Sequence, residues 1–119
     1  MALENAQLTS TQLDIFNGVP SGKKYAITNI MVCNTYDPDS PDAADHDAVF
    51  DMHFRKDNQP LSNAVTCVVR KMLLPAGETF TFDSEKVILD QGEDLSFVAG
   101  PDIGANLTDL SVSVSYLEV

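Results

Sequence analysis

The side chains most able to bind or react are concentrated in one stretch, residues 35–47, which reads TYDPDSPDAADHD. Asp37, Asp39, Asp42, Asp45 and Asp47 offer the hard carboxylate oxygens that Ca²⁺ prefers. Their spacing does not make an EF-hand. Counted from Asp37, the sixth position is Asp42 where the Ca²⁺ loop needs Gly, and the twelfth is Ala48 where it needs Glu. The first reading is a solvated acidic loop. The alternatives are a weak Ca²⁺ or carbohydrate site and a docking loop in which Tyr36, Asp45 and His46 meet a partner.

Other chemistries find less support. His46 and His53 are the only histidines, and neither lies near a CxxC or HxxxH spacing that would build a zinc site. Serines and threonines are plentiful, but there is no GxSxG elbow and no Cys–His pairing that the sequence can defend. No glycine-rich phosphate loop occurs. Any two of the eighteen carboxylates could meet as a hydrolytic pair, but a chain without Trp makes a poor sugar-stacking platform. The expectation is a protein without catalytic residues, metal or cofactor.

Charge narrows the partners. Seven Lys and Arg face eighteen Asp and Glu, a net charge of −11. The basic pairs Lys23-Lys24, Arg55-Lys56 and Arg70-Lys71 are too few and too scattered to replace phosphate counterions, which argues against nucleic acid. An anionic membrane surface would repel the chain for the same reason, and no apolar run approaches the ~18 residues of a membrane helix. The opening MALENAQ has no basic leader before an apolar core, so passage through a secretion channel is not expected. Cys33 and Cys67 lie in apolar, strand-like runs and read as two buried free thiols, with one inter-strand disulfide as the alternative.

The elements that must position these residues are strands. A chain of 119 residues fits one domain, 1–119. Residues 1–11 have few large apolar side chains and read as an arm able to reach a neighbour. Leu13 and Ile15 alternate until Asn17-Gly18 stops the run. Residues 23–34 become apolar on both faces, as in a central strand covered on both sides. In 48–55, Ala48, Phe50, Met52 and Phe54 face one way, and Val49, Asp51, His53 and Arg55 form a wet side. Residues 64–74 continue as a strand, with a bulge where alternation slips at Arg70-Lys71. Phe80 and Phe82 share a face, 83–86 interrupts, and 87–89 and 95–99 follow on either side of a tight turn. A Gly/Pro/Asn loop at 100–107 precedes a last strand in which Leu110, Val112, Val114 and Tyr116 alternate with Ser111, Ser113 and Ser115. That serine face is either an ordinary half-wet face or an ungated edge and partner contact. About eight strands with regular turn signals and no significant helix predict an all-β antiparallel sandwich, jelly-roll or Ig-like.

Over residues 5–119 the chain resembles the small virion structural proteins of tailed bacteriophages, especially marine and cyanobacterial phages. The segments that carry the resemblance are YAITNIMVCNT at 25–35, LLPAGETFTFD at 73–83, VILDQGEDLSFVAG at 87–100 and the hydroxyl-rich end at 110–119. The resemblance implies a non-enzymatic β-sandwich present in many copies on the particle. Capsid decoration or cementing comes first, and a neck or tail accessory position second. It also implies assembly in the host cytoplasm and contacts with other virion proteins such as the major capsid protein. The uncharged, hydroxyl-rich strand 110–116 and the arm at 1–11 point to homo-oligomerisation as a trimer or higher ring, with a monomer that oligomerises only on the particle as the alternative. The acidic loop is longer and more charged than that pattern.

Overall fold

A computed structural model describes residues 2–9, 11–83, 87–99 and 110–119. Residues 84–86 of the break read at 83–86, the loop read at 100–107, and Met1 and Ser10 of the expected arm lie outside them. The described chain is all-β. It contains nine strands, namely β1 (Ala2–Gln7), β2 (Leu13–Asp14), β3 (Tyr25–Asn34), β4 (Ala48–Arg55), β5 (Cys67–Leu74), β6 (Thr79–Phe82), β7 (Val87–Leu89), β8 (Asp94–Ala99) and β9 (Leu110–Glu118). The helical content is one 3₁₀ turn, Ala43–Asp45, and no described helix is long and apolar enough to cross a membrane.

The strands form two antiparallel sheets. One runs β1-β9-β3-β6, with β7 beside β6 on the same side of β3, and the other runs β2-β8-β4-β5. The pairings are nested: β1 with β9, β2 with β8, β3 with β6 and β7, and β4 with β5. That is the nesting of one long hairpin, and rolling it up lays β9 on β3 and β8 on β4. The connectivity is therefore a jelly roll rather than an Ig-like sandwich. Turn chemistry agrees with the residues. Asn17 and Gly18 take φ of 52° and 83°, the left-handed region that Asn tolerates and Gly enters freely.

Alternation drives the two sheets together. Ile27, Ile30 and Val32 of β3 and Val112 and Val114 of β9 face Phe50 and Met52 of β4 and Leu95 and Phe97 of β8, all fully or almost fully buried. Each such side chain contributes about 1.5–3 kcal/mol of apolar burial. Phe16, Tyr25 and Tyr116 close one end with ring centroids 4.6–5.1 Å apart.

Several sequence expectations change here. The serine-bearing strand β9 is no edge, because it is paired on both sides, to β1 and β3. Residues 2–7 of the expected arm are instead strand β1, the outermost strand of that sheet. β3 is central by pairing but is covered on one face only, since Met31 remains 41% exposed. The outward residues of β4 are not wet: Val49, Asp51 and His53 are buried. The expected bulge is the reason at Asp51. Phe50 pairs with Met72 and Met52 with Val69, so two residues, Arg70 and Lys71, stand opposite the single Asp51. The Asp51 carboxylate accepts the Lys71 backbone N–H and an Arg70 guanidinium N–H, both at 2.7 Å. His53 is covered by the turn that carries Thr66, whose hydroxyl lies 2.9 Å from His53 Nδ1.

Candidate functional site

Segment 35–47 is tied down at both ends by one buried amide. Asn34 Nδ2 donates to the His46 and Leu74 carbonyls at 2.7 and 2.9 Å, and Asn34 Oδ1 accepts the Tyr36 N–H at 3.1 Å. Within the loop, Tyr36 donates its hydroxyl to Asp42 at 2.6 Å, and Ser40 donates to the same oxygen. The His46 ring packs on Tyr36 with centroids 3.4 Å apart, and His46 Nε2 lies 3.5 Å from Asp42. Asp37 accepts the backbone N–H of Asp39 in a local turn, and Asp45 ends the 3₁₀ turn. Pro38 sits on Gly77 (φ 81°), where an added Cβ would come within 2.8 Å of the proline ring.

The structure thus brings Tyr36, Asp42 and His46 together but does not gather the five aspartates. Among the described residues, no three His, Cys, Asp or Glu side chains converge in a way that could hold a metal ion. Hydrogen bonds from Ser40 and then Tyr36 hold the Asp42 carboxyl down at about 2. Because the folded pKa lies below the unfolded one, this contact is intact above the ordinary aspartate range and is lost as pH falls through about 2. Tyr36 ring signals followed by NMR are expected to titrate near that pH, and Asp42→Asn to abolish the step while β-sheet signals stay in place. A step at the ordinary aspartate value would show that the loop bonds do not form.

Sequence reading missed a pairing on the other sheet. Cys67 lies directly across from His53 in the β4–β5 ladder, with Asp51 two residues away. Burial pushes the His53 pKa down and the Cys67 thiol up, so both are held neutral. That is the reverse of the thiolate–imidazolium pair a nucleophilic cysteine needs. Both cysteines are free and half-buried rather than fully buried. They lie in different sheets, Cys33 in β3 and Cys67 in β5.

On the other sheet, the outer face of β1-β9-β3-β6 forms an ordered surface. Register places its residues in rows: Gln7, Ser111, Cys33 and Thr79; then Asn5, Ser113, Met31 and Thr81; then Leu3, Ser115 and Asn29; then Leu117, Ala26 and Ile88. None of these positions carries a charge, in a chain of net charge −11. Leu3, Met31, Ile88 and Leu117 are 57%, 41%, 56% and 38% exposed. Charge returns at the rims of this face: Asp83 ends the row of Leu3, Ser115 and Asn29 and accepts the Asn29 amide at 2.7 Å, and Lys24 and Asp90, 3.8 Å apart, follow the row of Leu117, Ala26 and Ile88. On the opposite sheet Arg55 pairs with Asp14 at 2.8 Å and Arg70 with Asp51 at 2.7 Å. Ser111, Ser113 and Ser115 were legible as partner candidates. Asn5, Met31, Thr79, Thr81 and Ile88 join them only through register. The Thr79/Thr81 alternation with Phe80 and Phe82 was the signal that could have found two of them.

No protein-family model, curated protein or solved structure matches this chain.

Proposed function

We propose that this chain is a non-enzymatic structural component of a tailed-phage virion, a capsid decoration or cement protein first and a neck or tail accessory second. The observation that carries the reading is the outer face of the β1-β9-β3-β6 sheet, whose paired rows carry charge only at the rims. A strongly acidic chain whose rows on this face are uncharged at every paired position from Gln7 to Ile88, with Asp83 beside Asn29 at the rim, has a surface suited to docking on another protein with few ions to desolvate. Hydroxyls and carboxamides across that face can pair with a polar partner surface, and the exposed Leu3, Met31, Ile88 and Leu117 supply apolar anchors. Repetition of such a contact by particle symmetry makes a modest interface sufficient. Jelly-roll connectivity is shared with many capsid domains, an analogy of fold only.

Mass spectrometry and cryo-electron microscopy of purified particles of the encoding phage test this. The expected result is a copy number in the hundreds, with the serine-bearing face against the capsid. Roughly six or twelve copies would assign the neck or tail instead, and absence from mature particles would overturn the reading. Ser113→Glu places a charge in the middle of the face and is expected to lower particle binding about tenfold or more, because that charge must be desolvated.

A further inference from the structure

We infer that β1 is a homodimer edge: two copies pair their β1 strands antiparallel about a two-fold axis at Asn5, joining their serine-bearing sheets into one continuous sheet. This does not rest on the virion reading. Leu8 N–H donates to the Leu110 carbonyl at 2.9 Å, which sets the phase of the β1–β9 ladder. In an antiparallel pair the backbone groups alternate in direction. The residues of β1 in phase with Leu8, namely Ala2, Glu4 and Ala6, therefore bond to β9, and Leu3 and Asn5 turn their N–H and C=O away from it.

The other described edges are protected or short. β5 is broken by the bulge at Arg70-Lys71, with Lys71 at φ 50°. β2 has two residues, and β6 and β7 have four and three. β1 has six residues in unbroken register and a single charge, Glu4. Glu4 is half-buried and belongs with the inward-facing Ala6, beside Tyr116, rather than with the exposed outer face.

The occupant is a second copy because an antiparallel edge is complementary to itself under two-fold symmetry. Centring the pair on Asn5 also sets Glu4 opposite Ala6 of the second copy, so no like charges face each other across the junction. Six strand residues span about 20 Å, and a single strand pair of that length buries less than the roughly 1,000 Å² expected of a stable dimer. Each copy also carries −11. Association is therefore weak and strengthens as salt screens the repulsion over about 10 Å or less.

Sedimentation equilibrium of the purified protein, at concentrations up to about millimolar, tests the inference. The expected result is a monomer–dimer equilibrium whose Kd falls at least about tenfold between roughly 0.02 and 0.5 M NaCl. Asn5→Pro removes an outward N–H that β9 does not use, so the variant is expected to melt like the wild type and to remain monomeric. If that variant fails to fold, Asn5→Lys gates the edge instead. Hydrogen exchange gives an independent readout, with the Leu3 and Asn5 amides protected in the dimer and exposed in the monomer. A monomer at every salt and concentration overturns the proposal. So does dimerisation undiminished in the edge variants, which would assign the contact to the sheet face.

Discussion

Phe50→Ala is expected to lower the stability of the fold by about 3–5 kcal/mol. Phe50 is fully buried on β4 and joins the two layers of the sandwich. Its ring meets Phe80 of the opposite sheet at 5.6 Å and 61°, and Phe97 of the neighbouring strand at 6.2 Å and 47°. Truncation loses the transfer free energy of the ring and leaves a void that two paired sheets are too stiff to close. A domain of this size has roughly 5–15 kcal/mol in all, so the loss is a large share of it. Urea denaturation followed by circular dichroism should show the midpoint fall with little change in slope. A shift worth less than about 1 kcal/mol would mean that the layers collapse onto the site.

Asp94→Ala is expected to cost a similar amount, about 3–5 kcal/mol, for a different reason. The Asp94 side chain is fully buried at the start of β8. Its Oδ1 accepts N–H groups of Phe16 and Leu95 at 3.0 and 2.8 Å, and its Oδ2 accepts that of Gly18 at 2.8 Å. The Arg55 guanidinium lies 3.9 Å away and also holds Asp14. Alanine would leave these amide donors without an acceptor and Arg55 short of a counter-charge. Asp94→Asn keeps the acceptor for Phe16 and Leu95 but sets an NH₂ against Gly18, so a smaller loss is expected.

Burial also pushes the Asp94 carboxyl above the ordinary aspartate range, against the pull of its amide donors. The native state therefore holds this proton more tightly than the unfolded chain does. The group's contribution is fullest below the ordinary aspartate pKa and declines as pH rises through the raised one. Thermal melts across that window should show the decline in the wild type and a flatter profile in Asp94→Asn. A profile unchanged by the substitution would remove Asp94 from the pH dependence.

Much of the architecture was legible because a strand writes its two faces into alternate residues. Leu110, Val112 and Val114 against Ser111, Ser113 and Ser115 gave the inner and outer faces of β9 correctly. Asn17-Gly18 marked a real turn, and the slip at Arg70-Lys71 marked a real bulge. Proline and aspartate made 35–47 a loop. Its anchor, Asp42, could not be told from the other four aspartates, because what distinguishes it is the reach of Tyr36 and Ser40 in space.

The amino-acid sequence by itself determined the class of fold, most of the strands and the apolar side of strands such as β4 and β9, since alternation and turn residues are local properties. Only the tertiary structure decided which strand lies beside which. It put β9 inside its sheet and β1 at the edge, buried the polar side of β4, and gathered uncharged residues from distant segments onto one face. The physical reason is that strands pair through backbone N–H and C=O groups that are the same in every non-proline residue. A local pattern can therefore say which way a side chain points, but the choice of neighbour belongs to the packing of the whole chain.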